Sequence, residues 1–138
     1  MAAFSESIDI NATPAEVWAV LGDLSAVGRW IPGVTAVIVE GMRRVCTFED
    51  GHRQDEQILD YSPTARSFRY RIDGAPLPVT DNTGSFTVQH DDGVTRVVWE
   101  SSFQPLDAAM SEQLAQMWQP YLPMALGNLK QVIEDGRE

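Results

Sequence analysis

The first clear pattern in the chain is a period of two residues over positions 4–11. One side of this segment carries Phe4, Glu6, Ile8 and Ile10, and the other carries Ser5, Ser7 and Asp9. A period of two residues is typical of a β-strand that buries one face. We therefore expect the chain to open with a strand whose apolar side packs on the core.

A helix is predicted to begin directly after this strand. Thr13 is a good N-cap, Pro14 suits the first helical position, and Glu16 stands three residues after Thr13, as a capping box requires. Apolar residues recur at helical spacing beyond Pro14. A second short helix is predicted over residues 24–31, because a Pro-Gly pair follows it.

The middle of the chain, from Val34 to Phe103, alternates repeatedly with a period of two and is broken by turn sequences such as Asp50-Gly51. Short turns between consecutive strands are typical of an antiparallel meander. The pattern predicts six strands near residues 34–40, 43–50, 53–61, 66–73, 79–90 and 94–103.

The last segment has the spacing of an amphipathic helix. Asp107 can cap a helix that runs toward Asp135, and its apolar residues recur every three or four positions. Pro120 and Pro123 interrupt this pattern. Since an internal proline removes a backbone hydrogen bond, we expect a kink or break within residues 118–123.

Composition narrows the possible functions. The 138 residues carry a formal net charge of −10, which argues against nucleic-acid binding and against docking on anionic lipid. No apolar run is long enough to insert into a membrane, and the N-terminus lacks the pattern of a secretory signal. We expect one domain over residues 1–138, located in the cytoplasm.

Metal and nucleophile chemistry find little support in the sequence. Cys46 is the single cysteine, so an internal disulfide is impossible, and it is expected to act as a small buried apolar residue. His52 and His90 stand beside predicted turns with no third ligand at a useful spacing. We expect surface histidines, no metal site and no cofactor.

Three stretches of the chain resemble a known family. They are residues 10–18 (INATPAEVW), residues 30–34 (WIPGV), and a strand series with Asp50-Gly51, residues 56–59, residues 70–72 and residues 76–79. They are similar to the START/Bet v 1-like (SRPBCC) superfamily, in its bacterial polyketide cyclase/dehydrase-like branch, over nearly the whole chain.

The resemblance implies an α+β helix-grip fold. In that fold a seven-stranded antiparallel sheet wraps around a long C-terminal helix, two short helices follow strand 1, and an apolar cavity lies between sheet and helix. It also implies binding of hydrophobic ligands or lipids. The superfamily contains binders, carriers and enzymes, so the resemblance leaves the function open.

The alternating strand faces identify candidate residues for the cavity wall. If Tyr70 and Trp99 face the C-terminal helix, their same-face neighbours do so too. An aromatic wall with a few polar groups is suited to a small-molecule site. The candidate ligand-binding residues are Trp30, Phe68, Tyr70, Asn82, Phe86, Trp99, Ser101, Met117 and Tyr121.

Glu56 is the candidate catalytic residue. Periodicity alone leaves either Glu56 or its neighbours Asp55 and Gln57 facing inward, and the family resemblance places Glu56 inward. A buried carboxylate needs a partner, which Arg44 or Arg53 can supply unless Glu56 is solvated at the mouth of the cavity. Without a partner, it can shuttle protons at neutral pH.

Three functions fit these observations. The first is a soluble binder of small hydrophobic or aromatic molecules, acting as a monomer or homodimer. The second is a polyketide cyclase/dehydrase-like enzyme with Glu56 as general acid/base, aided by Tyr70 or Tyr121 and Asn82. The third is a protein-interaction module, which an exposed apolar patch without an open cavity would favour.

Overall fold

The structure is a computed structural model that describes residues 2–74 and 77–136. Pro76, within one of the segments that carry the family resemblance, lies outside the described residues. The strands are β1 (Ala2–Ile10), β2 (Val34–Glu40), β3 (Arg43–Phe48), β4 (Arg53–Ser62), β5 (Ser67–Gly74), β6 (Val79–Asp91) and β7 (Val94–Pro105). The helices are α1 (Pro14–Leu21), the 3-10 helices η1 (Leu24–Arg29) and η2 (Ala108–Met110), α2 (Ser111–Trp118) and α3 (Tyr121–Asp135).

The seven strands form one antiparallel sheet in the order β1-β7-β6-β5-β4-β3-β2. The meander predicted from the turn sequences is therefore confirmed, and β1 pairs with the last strand, β7. The α+β helix-grip arrangement is confirmed as well, because the short helices and α3 cover the inner face of this sheet.

Helix α1 begins as its sequence predicts. The Glu16 backbone N–H donates to Thr13 Oγ1 at 3.1 Å, and the Thr13 backbone N–H donates to the Glu16 carboxylate at 3.0 Å. The reciprocal bonds satisfy two donors that would otherwise lack partners at the helix end. Helix η1 begins at Leu24, with Asp23 as its N-cap, and Trp30 follows its last residue.

The C-terminal helical segment is broken where its prolines predict. Helix α2 ends at Trp118 and α3 begins at Tyr121, so Pro120 precedes the first turn of α3 and Pro123 lies within that turn. Both prolines occupy positions where a missing backbone N–H costs nothing. Helix α3 buries a stripe of apolar residues, namely Leu122, Ala125, Leu126, Leu129 and Ile133.

Strand β6 contains an irregularity near its start. Thr80 pairs with Gln104 and Thr83 pairs with Ser102, so two residues of β6 lie opposite one residue of β7. Asp81 has a φ of +52°, in the left-handed region that side chains rarely adopt. This β-bulge changes which side chains of β6 point to the inner face.

The core is continuous from α1 through the inner face of the sheet to α3. Its fully buried members include Val17, Phe68, Val97 and Leu126. None of the described helices is long and apolar enough to cross a membrane.

Candidate ligand cavity

A cavity of about 250 Å³ lies between the inner face of the sheet, η1 with the turn after it, and the junction of α2 and α3. Its wall is mainly apolar and aromatic, with a cluster of polar side chains on β3, β4 and β5. The lining residues are Val27, Trp30, Ile31, Val34, Arg44, Cys46, Phe48, His52, Gln54, Glu56, Tyr70, Ile72, Leu77, Phe86, Trp99, Trp118 and Tyr121.

Aromatic rings form one side of the cavity. Phe86 stacks on Trp99 with ring centroids 4.8 Å apart, and Trp30 meets the Phe86 ring edge-on at 5.5 Å. The Trp99 indole N–H donates to the Tyr70 hydroxyl at 2.9 Å. These contacts fix the rings to one another, so the wall is formed before any ligand arrives.

Glu56 faces the cavity and is paired. Its side chain is 3% exposed, and its carboxylate accepts two hydrogen bonds from Arg44, Nη2 to Oε1 at 2.9 Å and Nε to Oε2 at 3.3 Å. Gln54 Nε2 donates to the same Oε2 at 3.4 Å. The inward position expected from the resemblance is therefore found, and of the alternatives for its partner the structure contains Arg44 rather than Arg53.

Arg44 is held from three sides. Besides Glu56, it donates from Nη1 to the backbone carbonyl of Leu24 at 3.2 Å, and its guanidinium lies 5.9 Å from the centre of the Phe68 ring. Burial lowers the pKa of Arg44, but the charge and hydrogen bonds of Glu56 outweigh burial and the net pKa is raised. Arg44 therefore stays charged, with N–H groups left over for an oxygen in the cavity.

Cys46 and Tyr70 keep their protons. Burial, aided by the charge of Glu56, raises the pKa of the Cys46 thiol to about 12, so it is no nucleophile at neutral pH. Burial also raises the pKa of Tyr70 well above its usual range. The Tyr70 hydroxyl accepts from Trp99, and no described residue accepts its proton, so the hydroxyl can donate to a ligand.

His52 lies at the rim of the cavity rather than simply on the surface. Its ring stacks on Phe48 at 4.4 Å and hydrogen bonds to Asp50. The sequence indicated only a turn histidine, because stacking across a turn leaves no periodic signal. Among the described residues, no group of three or more His, Cys, Asp or Glu side chains could hold a metal ion.

Five of the nine predicted ligand-binding residues line the cavity, namely Trp30, Tyr70, Phe86, Trp99 and Tyr121. The other four do not. Phe68 is 1% exposed and fills the core beneath Arg44, and Ser101 is buried as the acceptor of the Trp118 indole N–H at 3.0 Å. Asn82 and Met117 line a separate pocket of about 10 Å³ instead.

These four residues lie outside the main cavity because an inward-facing side chain does not always reach it. The side chains of Phe68 and Ser101 point to the inner face of the sheet, as predicted, but neighbouring aromatic rings separate them from the cavity. Met117 is 55% exposed because α2 turns this side outward. The candidate ligand-binding residues did not include Arg44, Gln54 or Trp118, which also line the cavity; Arg44 was expected only as a possible partner of Glu56.

The family model described as polyketide cyclase/dehydrase and lipid transport matches residues 1–134. A search of curated proteins found no match.

Solved structures with the same fold include the protein XoxI from Bacillus cereus, 23% identical, with a TM-score of 0.87 over 100% of this chain and 99% of that one. The Zhui aromatase/cyclase from a Streptomyces species is 17% identical, with a TM-score of 0.83 over 99% of this chain and 96% of that one. The di-domain ARO/CYC protein BexL is 16% identical, with a TM-score of 0.84 over 97% of this chain and 47% of that one. Since the family model spans nearly the whole sequence, this chain belongs to the polyketide cyclase/dehydrase branch of the START/Bet v 1-like superfamily.

Proposed function

We propose that this protein binds a small neutral molecule with an aromatic body and at least one carbonyl or hydroxyl oxygen. The observation that carries the proposal is the fixed aromatic wall of Trp30, Phe86 and Trp99 beside the buried pair of Arg44 and Glu56. Apolar surface supplies affinity in such sites, and a few polar groups orient the ligand.

The size of the cavity supports a ligand of about two fused rings. Its volume of about 250 Å³ lies between that of a cavity that takes up benzene, about 150 Å³, and that of pockets for drug-sized ligands, about 300 Å³ and more. A naphthalene-sized body fits between these limits.

The polar groups support an acceptor oxygen on that ligand. The Tyr70 hydroxyl has a proton to donate, and Arg44 has N–H groups beyond those bonded to Glu56 and Leu24. A charge on the ligand is not needed, because Arg44 is already neutralised by Glu56.

Isothermal titration with naphthyl methyl ketone and with ethylnaphthalene tests the proposal. We expect both to bind, the ketone about threefold to tenfold more tightly because of one added hydrogen bond. Ile72→Trp, which fills the cavity, should abolish binding, whereas Ile38→Trp on exposed β2 should not. No binding to the wild-type protein, or equal binding to both variants, would contradict the proposal.

An enzymatic role is the second candidate, favoured by the carboxylate and the hydroxyl that line the same cavity. In a cyclase-type reaction the carbon–hydrogen bond beside a carbonyl breaks, its proton moves to Glu56, and the resulting enolate oxygen accepts a hydrogen bond from Tyr70. The hydrogen bonds from Arg44 and Gln54 weaken this role, because they occupy the Glu56 oxygens.

Deuterium exchange at the methylene of a naphthoylacetone probe tests the enzymatic role. A general base should speed exchange by about a hundredfold or more over buffer, and Tyr70→Phe should remove most of that gain. If deuterium exchange in the bound probe is no faster than in buffer, the protein binds the probe but does not catalyse the exchange.

The interaction-module alternative gains no support from the surface. Large exposed apolar residues such as Ile38, Leu106 and Met124 lie on separate elements and turns, and the cavity is open. Single exposed apolar residues are ordinary on protein surfaces.

A further inference from the structure

A second, smaller pocket adjoins the ligand cavity, and we call it the annex. It has a volume of about 10 Å³, enough for one small group such as a hydroxyl. Its lining residues are Leu77, Val79, Asn82, Phe103, Leu114, Met117 and Trp118. Leu77 and Trp118 line both spaces, so these two side chains form the partition between them.

Asn82 is the polar group in the otherwise apolar lining of the annex. Residue Asn82 is 6% exposed, and its amide makes no hydrogen bond to any residue within 2–74 or 77–136. Among those residues no side-chain nitrogen or oxygen is both buried and without a partner, so the Asn82 amide atoms remain in contact with solvent. A ligand hydroxyl can replace water at such a group and keep its hydrogen bond. The Asn82 amide is therefore available to a ligand that enters the annex.

The β-bulge in β6 creates this arrangement. Val79 and Asn82 are three residues apart, which on a regular strand would place them on opposite faces. The extra residue, with Asp81 at positive φ, brings both side chains to the inner face at the annex. Bulges of this kind often redirect a side chain toward a functional site.

Trp118 lies between the cavity and the annex. It is the last residue of α2, directly before the break that precedes α3, and it is only half-buried. Three contacts hold its indole in place, a hydrogen bond to Ser101 at 3.0 Å, a stack on Tyr121 at 4.9 Å, and an edge contact with Trp99 at 6.2 Å. Loss of the hydrogen bond to Ser101 would remove one of these three contacts.

We propose that Trp118 sets the length of the ligand, and that the annex behind it takes the hydroxyl-bearing end of a longer aromatic ketone, with Asn82 as its hydrogen-bond partner. This inference rests on the proposed function of the main cavity. With the indole bound to Ser101, the ligand is confined to that cavity. With the indole displaced, a short alkyl chain on the ligand passes Leu77 and reaches Asn82.

Calorimetry with three probes tests the inference. They are naphthyl methyl ketone, naphthyl butyl ketone and the analogue of the latter with a terminal hydroxyl. We compare the ratio of the affinity for the butyl ketone to the affinity for the methyl ketone. This ratio should be about ten times higher in Trp118→Ala than in the wild-type protein, because further methylenes become buried. Ser101→Ala should shift the ratio in the same direction by about threefold.

The Asn82 side chain is tested in the Trp118→Ala background. The hydroxyl analogue should bind about threefold to tenfold more tightly than the butyl ketone there, and Asn82→Leu, which keeps the branched shape of the side chain but removes its hydrogen-bonding atoms, should remove that preference. Met124→Ala, an exposed change on α3 outside both pockets, is the control and should leave every ratio unchanged.

Two outcomes overturn the inference while the proposed function stands. One is an unchanged length ratio in both Trp118→Ala and Ser101→Ala, with the methyl ketone still bound. The other is a hydroxyl preference that survives Asn82→Leu. If no probe binds the wild-type protein or any variant, the proposed function fails and the inference fails with it.

Discussion

Arg44 and Glu56 form a two-point ion pair inside the wall of the cavity, and one residue earlier on each strand Arg43 and Asp55 form a similar pair on the outer face of the sheet. The inner pair joins at 2.9 Å with side chains 5% and 3% exposed, and the outer pair joins at 2.7 Å with side chains 57% and 40% exposed. The two pairs differ mainly in burial, so each serves as a control for the other.

Glu56→Gln should destabilise the protein. The substitution leaves the Arg44 guanidinium buried without a counter-charge, which costs about 3 kcal/mol in comparable buried pairs. Denaturant unfolding measures the effect as a lower midpoint. Asp55→Asn breaks the exposed pair and should leave the midpoint nearly unchanged. Equal midpoints for both variants would show that Arg44 finds another partner.

Replacing both members of the inner pair should restore most of that loss. In Arg44→Met combined with Glu56→Leu, neither charge has to be buried, and apolar replacements of buried pairs are often neutral or stabilising. The double variant should be more stable than either single variant. Because Arg44 has N–H groups available for the ketone oxygen, the double variant should also show a weaker preference for naphthyl methyl ketone over ethylnaphthalene. A double variant less stable than both single variants would contradict this account of the pair.

Substitution by alanine is expected to have opposite effects on stability at Gly84 and at Gly127. A Cβ on Gly84 would lie 2.2 Å from the Tyr70 hydroxyl oxygen, so Gly84→Ala must displace the Tyr70 ring and should cost about 1–3 kcal/mol. A Cβ on Gly127 would meet nothing within 4 Å. Because Gly127 lies inside α3, Gly127→Ala should stabilise by about 0.5–1 kcal/mol.

Thermal unfolding of the two glycine variants gives the comparison. Tyr70→Leu should relieve much of the cost of Gly84→Ala, because the ring that clashes is then absent. If Gly84→Ala is harmless in the wild-type background, the close packing of Tyr70 on β6 is wrong.

The order of elements could be read from the sequence because local patterns determine it. The capping box at Thr13, the two prolines near Trp118 and the turn at Asp50-Gly51 each act over a few residues. The alternation of β5 likewise placed Tyr70 on the inner face, as the structure confirms.

The site could be predicted only in part, because its composition depends on what lies over each inward residue. Phe68 and Tyr70 have the same face, yet Arg44 lies over Phe68 while Tyr70 reaches the cavity. The pair of Arg44 with Glu56 depends on the register of β3 against β4, which periodicity does not fix. The bulge at Asp81 could not be predicted from the sequence, because the residue with positive φ is not a glycine.

Stability should fall at alkaline pH. Burial raises the pKa of Cys46 from 9.0 to about 12, so the folded state retains a proton that the unfolded state loses. The contribution is complete below pH 9.0 and is lost as the pH rises toward about 12. In Cys46→Ala the decline of unfolding free energy over this range should be shallower. An identical decline would show that Cys46 ionises freely in the folded protein.

Binding of a small aromatic molecule inside the cavity is tested most directly by an NMR titration of backbone amides and tryptophan indoles with naphthyl methyl ketone. We expect saturable shifts at the Trp99 and Trp118 indoles and at the amides of Cys46 and Tyr70. We expect no shift at Ile38 on the exposed edge of the sheet. Shifts confined to exposed residues, or no saturable shift at all, would contradict it.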